Sequence, residues 1–304
     1  MMTGSPWAVV LAGGDGERVS ALTRDAGGSV VPKQFWSAGG GPPMVRWALA
    51  RARRVAPASR VLVAVKAAHR AFWTEALADV PSANVLVQPE NRGTAAGVLR
   101  AAVEIQTRGI TTDPVVLLPA DHYVADEAVL HGALAAAVRA VEQGVAPVVL
   151  LGMCPGEQQS GYGWILPASP APFAGVRCFL EKPPEVRVRE LVRDGALINS
   201  FILAARAHVL LALVGRVFPE ILGSFQRLSR KLQSGTEAQE LYRRLPLMDL
   251  SRDVLQHATT LLSVLRVPPC GWTDLGTAER LQRFLDRPPG QPGQLPPVPH
   301  PAAA

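Results

Sequence analysis

Apolar residues in the first half of the chain fall into short unbroken runs. Longer stretches between them carry apolar residues at helical spacing. Residues 7–11, Trp-Ala-Val-Val-Leu, are the first run. A run this short with no polar face reads as a strand buried on both sides, as inside a parallel sheet. The same pattern predicts strands over 60–65, 84–87, 115–118 and 148–151, with helices over 44–55, 68–78, 94–107 and 127–143. Strand and helix in alternation predict an α/β fold with a doubly wound, mostly parallel, Rossmann-like sheet. Ligands of such sheets sit beyond the carboxyl ends of the strands. After residue 151 the pattern changes to a smaller mixed region. Strands are expected over 161–165, 176–180 and 261–267, and helices over 184–192, 208–213, 220–232, 237–244 and 277–285. Residues 1–286 then form one domain, and the Pro-rich stretch 287–304 is a disordered tail.

Polar chemistry gathers at the predicted strand ends. The first strand runs into Ala12-Gly13-Gly14-Asp15-Gly16-Glu17-Arg18. Glycines at 13, 14 and 16 permit positive φ and remove the Cβ atoms that would keep a ligand off the backbone. Such a turn offers N–H groups to a phosphate as a concave nest. Arg18 and Lys33 can add fixed positive charge to the same anion. A dinucleotide fingerprint would need a third glycine where Val19 stands, and a P-loop would need a Lys after the glycines. The plain alternative is a tight strand-to-helix turn with a solvated Arg.

Three further clusters have a structural and a chemical reading each. In Gln88-Pro89-Glu90-Asn91-Arg92-Gly93-Thr94-Ala95, Thr94 is placed to cap the next helix. In Pro119-Ala120-Asp121-His122, Asp121 either caps a loop or offers a hard oxygen to Mg²⁺. Asp274, in Gly271-Trp272-Thr273-Asp274-Leu275-Gly276-Thr277, is a second carboxylate of that kind. Glu181-Lys182 reads as a solvated ion pair at a strand end. One of Asp249 and Asp253 is expected to cap a helix.

Composition narrows the class without naming the chemistry. The chain has 304 residues, 48% hydrophobic and 18% charged, as in an ordinary globular protein. A net charge of +6 suits an anionic substrate. It is mostly scattered arginine, with one cluster at Arg51-Ala52-Arg53-Arg54 that reads as the end of a solvated helix face. Nucleic-acid binding would need a larger patch. Three distant cysteines form neither a zinc pattern nor a disulfide framework, which predicts a reducing compartment. With no secretory leader and no run of about 18 apolar residues, the expectation is a cytoplasmic protein without a membrane span.

Leu11-Ala12-Gly13-Gly14-x-Gly16-x-Arg18, then Leu22-Thr23 and Pro32-Lys33-Gln34-Phe35, resembles the signature of sugar-phosphate nucleotidyltransferases. The Lys-Gln-Phe form is most similar to bacterial mannose-1-phosphate guanylyltransferases. The resemblance covers 9 to about 285 and its motifs follow in order. It implies that the glycine loop (Leu11 to Gly14, and Gly16) holds the nucleotide, and that Arg18 and Lys33 stabilise the departing pyrophosphate. It implies a base pocket lined by Gln88, Pro89, Arg92, Thr94 and Ala95. Here Gln88 replaces an acidic residue and Gly93 an Asn. Asp121 and Asp274 are implied to hold Mg²⁺, with Asp121 also meeting the nucleotide. Gly163, Glu181, Lys182 and Asn199 are implied to bind the sugar phosphate. Asn199-Ser200 is flanked by Ile198 and Phe201 where the family has Trp and Gly. The implied reaction is GTP plus mannose 1-phosphate giving GDP-mannose and pyrophosphate. UTP or dTTP with glucose 1-phosphate, and a silent regulatory homologue, are the alternatives. A homodimer stays open.

Overall fold

The computed structural model describes residues 4–37, 41–156, 161–229 and 235–286. The expected tail 287–304 and the end of the helix expected over 220–232 lie outside them. Nine strands among these residues make one sheet: β1 (Trp7–Ala12), β2 (Val61–Lys66), β3 (Val85–Gln88), β4 (Pro114–Pro119), β5 (Val148–Met153), β6 (Gly163–Pro167), β7 (Phe173–Glu181), β8 (Leu197–Arg206) and β9 (Leu262–Val267). Their order is β3-β2-β1-β4-β8-β5-β9-β7-β6. The first four pair in parallel. β8 enters antiparallel between β4 and β5, and β5 pairs with β9 in parallel. The result is an α/β fold on a mixed sheet.

Side chains of each strand alternate between two cores. In β1, Ala8, Val10 and Ala12 enter one and Trp7 and Val9 the other. The first core is covered by α1 (Met44–Val55) and α4 (Glu127–Glu142), the second by α3 (Thr94–Thr107) and α6 (Ala207–Val217). This two-sided burial is why the parallel strands lack a polar face. The helix expected over 68–78 is shorter, α2 (Arg70–Ala76), because residues 67–69 form one 3₁₀ turn. The remaining helices are α5 (Glu185–Arg193), α7 (Pro219–Arg227), α8 (Thr236–Arg244) and α9 (Ala278–Leu285).

Two sequence expectations change. β8 has no counterpart among the predicted strands, although it lies mid-sheet. Arg51 is not on a solvated face. It is buried, with Nε and Nη2 on the Glu127 carboxylate at 2.9 and 2.7 Å and Nη1 on the His122 carbonyl at 2.8 Å. It fastens α1 to the start of α4 and to the loop after β4, where the cleft begins.

Candidate active site

The ends of β1, β3 and β4 open on one cavity of about 380 Å³. Of the residues singled out in the sequence, Leu11, Gly13, Gly14, Arg18, Lys33, Gln88, Thr94, Asp121 and Asp274 line it. A second hollow of about 370 Å³ adjoins it along the glycine loop and includes Gly16, Arg18, Lys33 and Asp121.

The loop is fixed from three sides. Gln34 Nε2 donates to the carbonyls of Ala12 and Gly14 at 2.9 and 2.8 Å. Gly16 has φ +67°, and a Cβ there would stand 3.1 Å from the Lys33 nitrogen. A side chain at 16 would therefore part the loop from the lysine segment. Asp15 is held by Lys66 Nζ at 2.5 Å and Asn91 Nδ2 at 2.9 Å. Burial works against its charge, but those bonds outweigh burial and keep the carboxyl below the usual range.

Lys33 is buried. Its ammonium lies 2.6 Å from Asp121 Oδ2 and donates to the Asp274 carbonyl at 2.6 Å. Two residues 153 positions apart are thus joined through one cation, as 274 minus 121 gives. Burial opposes the charge of Asp121, and Lys33 more than restores it. His122 is pushed down to about 4, by burial first. It is neutral at pH 7, and its Nδ1 accepts from Trp272 Nε1 at 3.2 Å. That bond assigns the ring proton to Nε2, 4.0 Å from Asp121 Oδ1.

Three donors hold the Asp274 carboxylate. Its Oδ1 accepts from Arg280 Nη1 at 2.7 Å, Tyr162 Oη at 3.1 Å and the Gly276 amide at 3.1 Å. Arg280 also lies over the Tyr162 ring, 4.2 Å from its centroid. Burial, then Asp274, push the Tyr162 hydroxyl up to about 12, so it remains a donor. Asp274 Oδ2 is left beside Arg18. A Cβ on Gly276 would stand 2.6 Å from that oxygen and 3.4 Å from Arg18 Nη2. Thr277 caps α9 and so brings Arg280 back toward the Asp274 loop.

At the other end, Gln88 is buried at the close of β3. Tyr242 Oη, from α8, donates to Gln88 Oε1 at 3.4 Å. Gln88 Nε2 lies 2.9 Å from where a Cβ on Gly13 would be. Thr94 does not cap α3. Gly93 holds that position at φ +87°, and Thr94 Oγ1 accepts from the Leu250 amide at 2.9 Å. A side chain on Gly93 would strike the Met248 carbonyl, which explains glycine there in place of Asn. Asp249 caps the turn Leu250–Val254, and Asp253 Oδ2 accepts from the Asp249 amide at 2.7 Å, so one of the expected caps is present.

Pro89, Arg92 and Ala95 stand apart from the cavity lining. Arg92 Nη2 lies 2.5 Å from Glu90 Oε2 and donates to the Arg243 carbonyl, and Ala95 is buried in the first turn of α3. The four residues implied for the sugar form their own cluster. Gly163 faces Glu181 across the β6–β7 pair, and Asn199 lies beside them on β8. A Cβ on Gly163 would stand 2.5 Å from Glu181 Oε2 and 3.2 Å from Asn199 Cβ. Lys182 Nζ is 3.4 Å from Glu181 Oε1, and its amide donates to the Tyr162 carbonyl at 3.1 Å. Burial raises the Glu181 carboxyl, against the pull of Lys182. Tyr162 therefore links this cluster to Asp274.

A nucleotidyl transferase family model matches residues 7–286. The xanthan biosynthesis protein XanB of Xanthomonas campestris is 32% identical over 224 residues, covering 72% of this chain and 46% of that protein. A mannose-1-phosphate guanylyltransferase of Escherichia coli is 27% identical over 239 residues, covering 75% and 49%. The chain spans about half the length of these relatives. A solved structure from Thermus thermophilus, described as a mannose-1-phosphate geranyltransferase, superposes with a TM-score of 0.77 at 28% identity, covering 94% of this chain and 81% of the other. The matched stretch takes in the whole cleft, from the glycine loop to Arg280, and the chain belongs to the nucleotidyl transferase family.

Proposed function

We propose that the protein transfers a guanylyl group from GTP to mannose 1-phosphate, giving GDP-mannose and pyrophosphate. The observation that carries this reading is the buried Lys33 ammonium, joined to both Asp121 and Asp274 at the mouth of the glycine loop. A phosphate oxygen of the sugar attacks the α-phosphorus in line. The bond from that phosphorus to the bridging oxygen breaks, and pyrophosphate leaves with the electron pair. The attacking group is already an anion, so the chain has no need of its own nucleophile. Its task is to position two anions and offset their charge. Gln34 holds the loop carbonyls, which leaves the loop amides for the phosphates. Arg18 and Lys33 face the departing pyrophosphate, and Lys182 the sugar phosphate.

The carboxylates suit Mg²⁺. Asp121 keeps Oδ1 and Asp274 keeps Oδ2, one hard oxygen each, and phosphate and water complete such a site. When bound, the ion supplies charge neutralisation on the phosphates. Residues 7–286 act as the catalytic unit, and the cytoplasm is the proposed compartment. No helix among the described residues is long and apolar enough to cross a membrane.

Base choice follows from Gln88. With Oε1 engaged by Tyr242, its amide hydrogens face the cavity. A donor there suits a keto oxygen, which guanine, uracil, thymine and cytosine all carry, and disfavours adenine, whose exocyclic amino group would face another donor. Guanine is favoured by the likeness to guanylyltransferases, and UTP or dTTP with glucose 1-phosphate is the second reading. Pyrophosphate release across four nucleoside triphosphates and several sugar 1-phosphates tests the choice. GTP with mannose 1-phosphate should give the highest kcat/KM, and a clear preference for another pair would replace the assignment.

Tyr242→Phe keeps the ring but frees the Gln88 amide to turn. Discrimination of GTP against ATP should fall by about tenfold, the worth of roughly one hydrogen bond. Unchanged discrimination would leave Tyr242 a packing residue only. Gly163→Ala forces a methyl against Glu181 and Asn199. It should raise KM for mannose 1-phosphate about tenfold or more and cost roughly 1–3 kcal/mol in stability. Steady-state kinetics with each substrate varied separates this from an effect on GTP, which should be small.

A further inference from the structure

Three residues other than glycine have positive φ among those described: Lys182 at +49°, Phe201 at +60° and Leu275 at +48°. Each lies one or two residues after a candidate site group, namely Glu181, Asn199 and Asp274. Strain gathered in this way marks positions that the surroundings over-determine. Phe201 is the most unusual of them. A bulky aromatic residue in the left-handed region is an outlier, and most of all inside a strand. The resemblance places a glycine here, which would take this φ freely.

Four contacts hold the conformation. Asn199 Oδ1 accepts from the Phe201 amide at 3.1 Å. Ser200, fully buried, donates to the Leu151 carbonyl at 2.6 Å and accepts from the Ile202 amide at 3.1 Å. Opposite them, the β5–β8 register shifts between Leu150 and Gly152. Asn199 Nδ2 in turn donates to Ser251 at 3.3 Å. The backbone is fixed and the ring is aimed by it. Phe201, half-buried and packed against the second core, lines the nucleotide cavity together with Thr94 and Asp249, whereas Gly163, Glu181, Lys182 and Asn199 do not line it. Phe201 thus stands at the boundary between the nucleotide cavity and the proposed sugar cluster.

We propose that Phe201 is a specificity-determining residue for the acceptor. Its ring fills the space a glycine would leave between cavity and cluster. The acceptor must bring its phosphate past that ring to the α-phosphorus, so hexose 1-phosphates without a bulky ring substituent are admitted. A 2-acetamido-2-deoxyhexose 1-phosphate is excluded. This inference rests on the proposed transfer to a sugar 1-phosphate.

The test uses the full chain with GTP, Mg²⁺ and two acceptors, mannose 1-phosphate and N-acetylglucosamine 1-phosphate. F201G should raise kcat/KM for the acetamido sugar relative to mannose 1-phosphate by at least about tenfold, the usual scale for bulk in a pocket. Thermal unfolding of F201A and F201G supplies a second reading. In an ordinary strand Ala is the more stable, but at φ +60° F201G should melt above F201A. An active wild type whose acceptor ratio is unchanged in F201G overturns this inference alone. So does a change confined to KM for GTP, which would make the ring part of the nucleoside wall. A wild type silent with every nucleotide and sugar pair overturns the proposed function and this inference together.

Discussion

Lys33→Ala is expected to lower kcat by about 10²–10³, the usual consequence of losing one preorganised contact to developing charge. A solvated surface lysine would contribute almost nothing. Lys33 is not one. It is buried, and its ammonium is shared by a carboxylate and a carbonyl from two neighbouring segments, which also pair through Tyr123 and Thr273. As GTP binds, its phosphates join those two acceptors around the same cation. Charge moves onto the pyrophosphate as the bond breaks, so the loss falls on kcat more than on KM. Arg18 lines the same two hollows and, in the proposed reaction, would meet the same oxygens. Arg18→Ala on top of Lys33→Ala should then cost less than the sum of the two losses. Steady-state pyrophosphate release measures both, and an unfolding curve checks that the fold survives. Near wild-type kcat in Lys33→Ala would reduce the lysine to a strut between two loops.

Asp274→Asn has the other large effect. The amide keeps the shape of the carboxylate but loses its charge. Arg280, Tyr162 and Gly276 would then donate to a weaker acceptor, and the group beside Arg18 would be poor for a hard cation. Charge neutralisation on phosphates supplies several kcal/mol, so turnover should fall on the order of 10³-fold or more. The Mg²⁺ concentration for half-maximal rate should rise with it. Arg280→Lys would be milder, because it retains a charge near Asp274 but loses the planar group over Tyr162. Normal turnover and an unchanged Mg²⁺ titration in Asp274→Asn would remove Asp274 from any metal site.

The parallel half of the sheet is legible in the sequence because each strand is apolar on both faces. β8 is not, for two reasons. Asn199-Ser200 interrupts its run, and the alanines after Leu203 suit a helix as well as a strand. Residues at strand ends are legible because a strand delivers its next few residues to the cleft. The glycine loop, Gln88 and Asp121 all follow this rule. Arg280, Tyr242 and Phe201 do not. They arrive from α9, α8 and β8, and only the tertiary fold brings them to Asp274, Gln88 and the cavity wall. Arg51 is open to a better reading from sequence. It lies on one helical stripe with Met44 and Ala48, both buried, so the period of α1 points it inward.

The most direct measurement follows the α-phosphorus itself. The chain is incubated with GTP labelled on the α-phosphate, Mg²⁺ and mannose 1-phosphate, and the label is traced by chromatography. The transfer proposed here carries the label into GDP-mannose. It leaves none in pyrophosphate, and no product forms without the sugar phosphate. Label released as GMP or free phosphate, or unchanged GTP whatever the acceptor, would contradict it.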